Sequence, residues 1–214
     1  MERRRAERAE RFREGFANAV LLVILIALAV MLGIGAYMLR NGGIGKLLEG
    51  SKVNQLLSTF ENVKTGQINS YQDTGFFAGM TLPDGSLYPF PDGLLYKNAV
   101  PASIRPKWKG PYLKTEPECP YSGCTIEMDF RTGAATSLGQ VAQYFIVARR
   151  VPIQAALNIS RKLNGNERAN TCTTSIISNV VQGREKPCVV YLSRVSGAPN
   201  TPVDVYYNFF QYSY

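Results

Sequence analysis

Four cysteines are the residues of this chain whose type and spacing carry the clearest chemistry. They are Cys119, Cys124, Cys172 and Cys188, an even number that three alternative pairings can satisfy. Sequence order favours Cys119 with Cys124 and Cys172 with Cys188, because each pair encloses a short loop rich in Pro, Gly or polar residues. The alternative is a four-cysteine zinc site, but the spacings C-x4-C and C-x15-C lack its usual C-x2-C pairs. We therefore predict two disulfides, an oxidising compartment and no bound metal.

The chain contains no histidine, which excludes Ser-His and Cys-His dyads and nearly every catalytic zinc arrangement. It has no Walker loop, no GxGxxG and no GxSxG motif. No pair of carboxylates lies in a setting that suggests catalysis. The sequence therefore predicts a protein that is not an enzyme and that needs no cofactor.

A second group of residues combines positive charge with aromatic rings. Trp108 and Tyr112 lie among four cations, which are Arg105, Lys107, Lys109 and Lys114. Single-stranded nucleic acids bind such mixtures of charge and stacking surface, and the net charge of +8 admits an anionic partner. The alternative is a solvated loop with Trp108 packed on its own domain. The stretch is therefore a possible nucleic-acid or surface patch, with both interpretations open.

The first element of the chain that the sequence predicts is an apolar stretch over residues 16–39, which contains no charge. As a helix it would be about 36 Å long, slightly more than the roughly 30 Å hydrocarbon core of a bilayer. Six arginines precede it, and three basic residues follow it before residue 53, so its N-terminal side is expected to stay in the cytoplasm. The stretch is too long for a secretory signal peptide. We predict a single membrane span that leaves residues 40–214 outside.

An amphipathic helical pattern follows, after Gly42, Gly43 and Gly45. Apolar residues recur there mostly at spacings of three, four or seven, at Leu47, Leu48, Val53, Leu56, Leu57, Phe60, Val63 and Ile68. The pattern predicts one long N-terminal helix over residues 16–70. Its first half is apolar and transmembrane, and its second half is amphipathic.

The rest of the chain predicts a globular α+β head. Residues 71–123 are rich in Pro and Gly and predict a long loop region with short elements at most. Alternating or apolar runs predict strands over residues 124–131, 142–149, 188–195 and 203–212. A helix is predicted between them, with Pro152 in its first turn and a stop near Gly165. We expect a C-terminal antiparallel β-sheet, with the long N-terminal helix packed on it.

Together these features resemble the type IV pilins, particularly the type IVb branch and its relatives in conjugative pili. The resemblance rests on an Arg-rich leader that ends at Gly15, the apolar stretch that starts at Phe16, its amphipathic extension, the loop-rich middle and the disulfide-bounded sheet. Residues 51–77 and 147–165 are similar to type IVb segments. The resemblance implies the pilin fold in three parts: a cytoplasmic leader over 1–15, a helix over 16–70 whose residues 16–39 form the filament core, and a disulfide-bonded head over 71–214.

The resemblance also implies processing and assembly. A prepilin peptidase would cut between Gly15 and Phe16 and methylate the new amine of Phe16. Subunits would then leave the inner membrane and bundle their apolar helices in a filament, packed through Val20, Leu21, Ile24, Leu28, Leu32, Gly33 and Gly35. The family usually carries a glutamate where this chain has Val20. Major and minor pilin therefore both remain open.

We accordingly predict a structural pilus subunit that polymerises with itself or with other pilins. It would sit in the inner membrane before assembly, with its N-terminus in the cytoplasm, and in an extracellular pilus afterwards. Its head would serve adhesion, conjugation or DNA contact, with a surface receptor or DNA as partner. The alternative is a single-pass inner-membrane protein that never polymerises and whose exported domain binds envelope or secretion-system components.

Overall fold

A computed structural model describes residues 23–24, 26–31, 43–132, 141–177 and 187–213. The chain divides into two compact units, residues 1–49 and residues 50–214. The larger unit contains the sheet, both disulfides and all of the polar clusters considered below.

The predicted long N-terminal helix over residues 16–70 is not found. The long helix that the structure describes, α1, covers Gly43–Thr74. Across the described ranges, no helix combines the length and the apolar character that crossing a bilayer requires. Composition explains this for α1, because Lys46, Glu49 and Lys52 all fall in its first ten residues. The expectation of one continuous rod is therefore wrong.

α1 buries one stripe of its surface, which includes the predicted Val53, Leu56, Phe60 and Val63 but not Leu48, and this stripe changes character along the helix. Its first part is apolar, with Val53, Leu56, Phe60 and Val63 buried. The same stripe continues through three buried polar residues, Gln67, Ser70 and Thr74. The alternating spacing of three and four keeps all seven on one face of the helix.

An antiparallel sheet of four strands confirms the predicted α+β class. Its strands are β1 (Thr125–Thr132), β2 (Val141–Pro152), β3 (Val190–Leu192) and β4 (Pro202–Ser213), in the order β1-β2-β4-β3. All four predicted strand positions contain one of these strands, although β3 is shorter than expected. The predicted helix after Pro152 is also confirmed and covers Ile153–Asn164, with Gly165 as its C-cap.

Both faces of the sheet carry a cluster of buried side chains, while β1 is only partly covered. One face packs against α1 and the Ile153–Asn164 helix in a single hydrophobic cluster that includes Phe60, Ile146, Ile159 and Tyr207. The other face carries a smaller cluster that includes Phe145, Tyr191 and the two cysteines Cys172 and Cys188. The chain around the second disulfide therefore covers the side of the sheet that faces away from α1.

An irregularity in β2, near its C-terminal end, lies beside a set of bonds between strands. The register of β2 on β4 shifts between Ala148 and Val151, and Arg150 has a φ of 60°. The Arg149 guanidinium donates to Glu127 of β1 at 3.0 Å and to Asp204 of β4 at 2.9 Å. These bonds cross-link three strands at one level.

The middle of the chain confirms the predicted loop region with short elements, and it also has a core of its own. Residues 78–113 build their own hydrophobic cluster around Tyr88, Leu94 and Trp108. The regular elements there are short: the helix α2 (Asp92–Leu95) and two 3-10 turns, Lys97–Ala99 and Arg105–Lys107. The Trp108 Nε1 donates to the Gly93 carbonyl at 2.9 Å, and Tyr88 places its hydroxyl 2.8 Å from that of Ser70. The helix after Pro152 is accordingly α3.

Gln67 fixes this middle region to α1. Its amide nitrogen donates to the Ala78 carbonyl at 3.0 Å, and its oxygen accepts from the Ala78 amide at 2.8 Å. The side chain thus pairs with a backbone residue as a neighbouring strand would. Because Gln67 is fully buried, both backbone groups of Ala78 depend on it.

Replacing Gln67 by leucine is expected to lower the free energy of unfolding by about 1–3 kcal/mol, since two buried backbone groups lose their partner. Urea unfolding of the chain in mild detergent measures the loss, and exchange of the Ala78 amide hydrogen measures its local effect. Gln72→Leu is the matched control, because Gln72 lies exposed on the same helix. Equal losses in the two variants would contradict the anchoring role of Gln67.

Candidate functional site

The apolar stretch leaves a group of large side chains in solvent. The described residues between 23 and 31 are helical and exposed. Six of them are large and apolar, with exposed fractions from 51% to 71%: Val23, Ile24, Ile26, Leu28, Val30 and Met31. At 3.6 residues per turn they spread over about 200° of the helix circumference. Such a surface needs lipid or protein to cover it.

Two of the predicted filament-core residues, Ile24 and Leu28, belong to this exposed group. The others, Val20, Leu21, Leu32, Gly33 and Gly35, lie outside the described residues, as do Gly15 and Phe16 at the predicted cleavage site.

Both predicted disulfides are confirmed. Cys119 pairs with Cys124 and Cys172 with Cys188, with Cα–Cα distances of 5.6 and 6.1 Å. The first pair is partly buried at the start of β1, and the second is buried beneath the sheet. In the described ranges, no group of three or more His, Cys, Asp or Glu side chains is placed to hold a metal ion.

The structure distributes the predicted cationic and aromatic patch over different environments. Trp108 is 8% exposed, and its ring packs against Tyr112 in the cluster of residues 78–113. Arg105 and Lys107 share one 3-10 turn and are exposed. Lys114 lines a groove beside α1. Because the Trp108 ring is buried, a base cannot stack on it beside the exposed cations. Nucleic-acid binding stays a prediction.

Lys109 has a specific structural contact at the C-terminal end of α1. Its ammonium lies 3.0 Å from one oxygen of Asp73, while the Tyr112 hydroxyl donates to the other oxygen at 2.9 Å. The Lys109 and Tyr112 bonds hold the pKa of the Asp73 carboxyl below its ordinary value. This cluster fixes the start of the segment 112–118 to the end of α1.

A groove of about 850 Å³ runs between α1 and the segment 112–118. On the helix side it is lined by small polar side chains, among them Ser58, Asn62 and Thr65. On the other side stand Lys114, Glu116 and Glu118. The Thr59 hydroxyl donates to the Glu118 carbonyl at 3.0 Å and so closes the far end of the groove. Its lining carries two carboxylates against one ammonium.

Gly66 sets how closely α1 approaches the segment 112–118 at the Tyr112 end of the groove. A Cβ atom there would lie 3.0 Å from the Tyr112 carbonyl oxygen and 3.0 Å from the Leu113 side chain. Only glycine lets the segment approach α1 this closely without displacement.

A second polar cluster joins α1 to the sheet. The buried Tyr207 stacks on Phe60 at 5.2 Å between ring centroids, and its hydroxyl donates to the Glu61 carboxylate. Lys64 donates to the same carboxylate at 3.2 Å. The bond from Tyr207 lowers the pKa of Glu61, burial opposes it, and Lys64 adds to the lowering.

This shift gives a prediction for acid stability. Because the folded pKa of Glu61 lies below its ordinary value of 4.5, its contribution is present above that pH and is lost as the pH falls through the folded pKa. Tyr207→Phe keeps the ring but removes the hydrogen bond to Glu61. It should therefore lower the free energy of unfolding by on the order of 1 kcal/mol at neutral pH, and by less in acid. Urea unfolding as a function of pH measures this, with the exposed Tyr96→Phe as control. A loss that persists undiminished in acid would contradict the assignment.

No motif in the sequence marks the acidic residues of the groove. Glu116 and Glu118 flank Pro117 in a short run that resembles ordinary loop sequence. The one available signal was charge, since these two glutamates follow ten residues in which every charge is positive.

Comparison of the chain with protein-family models, with characterised proteins and with solved structures finds no match.

Proposed function

We propose that this chain is a structural subunit of a type IVb-like pilus, either major or minor. The apolar segment 16–39 holds it in the inner membrane before assembly and packs against other subunits in the filament. The disulfide-bonded head is exported and faces the surroundings. A prepilin peptidase acts at Gly15 and Phe16 in this proposal, and a surface receptor or DNA meets the head.

One observation carries the proposal: the exposed, apolar side chains around the helical residues 23–31. In water each such side chain costs about 1.5–3 kcal/mol relative to burial. Lipid covers them in the membrane, and equivalent segments of neighbouring copies cover them once the chain leaves the lipid. A subunit that passes from one environment to the other therefore needs this kind of surface.

Mass spectrometry of the protein from its native host tests the proposal. Sheared extracellular filaments should contain the chain without residues 1–15 and with a methyl group on the amine of Phe16. A full-length chain found only in membranes would overturn the proposal and would favour the non-polymerising membrane protein.

A pair of matched variants tests the role of the apolar segment. Leu28→Arg places a charge among the exposed apolar residues and should make membrane insertion less favourable by about 2.5–3.5 kcal/mol if residue 28 lies at the centre of the bilayer. Because assembly starts from the membrane, the chain should be lost from sheared filaments. Leu87→Arg makes the same change at a similarly exposed leucine of the head. It should leave the amount of filament unchanged. Normal incorporation of the Leu28 variant would contradict the proposal.

A further inference from the structure

Two surfaces of opposite charge lie at different levels along α1. We call Glu116 and Glu118 the acidic ledge, and Lys97, Arg105 and Lys107 the basic surface. All five side chains are exposed. None of them takes part in an ion pair within the described part of the chain.

The acidic ledge lies at the level of the middle of α1. The Thr59 hydroxyl holds the Glu118 carbonyl at 3.0 Å, and the groove beside the ledge is open to solvent. Lys114 lies nearer the Tyr112 end of the groove, which leaves the carboxylates to dominate the Thr59 end.

The basic surface adjoins the C-terminal end of α1. Lys109, two residues after Lys107, is bonded to Asp73 at 3.0 Å. Arg105 donates to the carbonyls of Val100 and Asn98, which places it beside the turn that carries Lys97. The nearby Asp84 carboxylate accepts from the hydroxyl and the amide of Ser86 and keeps its single negative charge, against three cations on the basic surface.

The separation of the two surfaces follows from helix geometry. Thr59 and Asp73 are fourteen residues apart on α1, which corresponds to about 21 Å along the helix axis. Charges this far apart are screened from each other in salt, since the Debye length is about 8 Å at physiological ionic strength. The two surfaces therefore do not pair within one chain.

We infer that the basic surface of one copy docks on the acidic ledge of the next copy, displaced along the axis of α1. This inference rests on the proposed function, and it names the head contact that accompanies assembly through residues 16–39. The contact joins two different surfaces, so each copy keeps one surface free to bind a further copy. Contacts of this kind build closed rings or open filaments, and a displacement along the axis of α1 gives the open form, whereas a contact between identical surfaces stops at a dimer.

Cysteine cross-linking in the full chain tests the inference. A chain that carries both Glu116→Cys and Lys107→Cys is treated, in cells and in sheared filaments, with a bifunctional maleimide too short to join the two positions within one copy. The expected product is a ladder of covalent multimers. Each single variant should lose the ladder, and so should the control that combines Glu116→Cys with Arg161→Cys, because Arg161 is exposed on α3 and belongs neither to the two surfaces nor to the lining of the groove.

Charge reversal provides an independent measurement. Glu118→Lys and Lys107→Glu should each reduce the multimers obtained with a non-specific cross-linker, and the two changes together should restore them. Glu167→Lys, at an exposed carboxylate on another loop, should have no effect. Failure of the double change to restore the multimers would overturn the pairing.

The outcomes separate this inference from the proposed function. Filaments that contain the processed chain but give no ladder would overturn the inference alone. A ladder from chains that stay in the membrane and never enter filaments would support the head contact and overturn the proposed function. A ladder of equal strength in the Arg161 control would overturn the inference as non-specific.

Discussion

Replacing Phe60 by alanine is expected to lower the free energy of unfolding by about 3–5 kcal/mol. Phe60 is fully buried in the cluster shared by α1, α3 and the sheet, and its ring lies within 6° of parallel to that of Tyr207. Truncation removes this stacking and leaves a cavity under the helix. The same substitution also loosens Tyr207, whose hydroxyl supports Glu61. Urea unfolding of the chain in mild detergent measures the loss.

Phe130→Ala is the control for this experiment. Phe130 belongs to β1 and is 37% exposed, so its truncation removes less contact and leaves no closed cavity. A loss as large as that of Phe60→Ala would show that the contact between α1 and the sheet does not dominate the core.

Replacing both Cys172 and Cys188 by alanine is expected to lower the free energy of unfolding by about 3 kcal/mol. This is the loss of chain entropy that a crosslink around a loop of this size imposes on the unfolded chain. The two residues are separated by 16 positions and lie buried with Phe145, Tyr191 and Tyr206. Loss of the bond frees the chain that covers this face of the sheet. Thermal unfolding of the double variant, compared with the unchanged chain under non-reducing conditions, measures the effect.

The disulfide between Cys119 and Cys124 provides the comparison. Its separation of 5 positions closes a smaller loop, so the entropic contribution is about 2 kcal/mol. Both cysteines are also only partly buried. If removal of the Cys119–Cys124 bond lowered stability more than removal of the Cys172–Cys188 bond, neither loop length nor burial beneath the sheet would determine the size of the loss.

Local pattern was enough to predict the sheet and α3. The alternation of Ile126 and Met128 with Glu127 and Asp129 lies within β1. Pro152 and Gly165 predicted the two ends of α3, because proline is tolerated where a helix begins and glycine readily caps its end. The pairing of the cysteines followed from loop composition. In each case the signal lies within the element that it defines.

The missed features depend on partners that are distant in sequence. Gln67 reads as a surface residue of an amphipathic helix until Ala78 is placed beside it. Packing of Trp108 on its own domain is one of the two interpretations that the sequence leaves open, but the sequence does not name its partner, the Gly93 carbonyl fifteen residues earlier. Because hydropathy ranks each residue without its partner, it cannot identify a buried amide or an indole that closes a small core.

The error over the long helix has a different origin. Helical periodicity is present on both sides of Gly42, Gly43 and Gly45 and predicts continuity across them. Gly43 and Gly45 lie within α1, but Lys46, Glu49 and Lys52 follow at once and make the start of this helix too polar to continue a membrane span. Periodicity establishes that two segments favour helix, but it does not establish that they form one helix.

The order of the strands determines which sheet edges a second copy of the chain could meet at high concentration. β1 and β3 are the two edges of the sheet, and β3 offers only three residues to an incoming strand. β1 is longer, but it alternates Glu127, Asp129 and Arg131 with its apolar residues. Short edges and edges that carry charge resist the strand-to-strand association that leads to amyloid. Copies of this chain at high concentration can therefore stay separately folded.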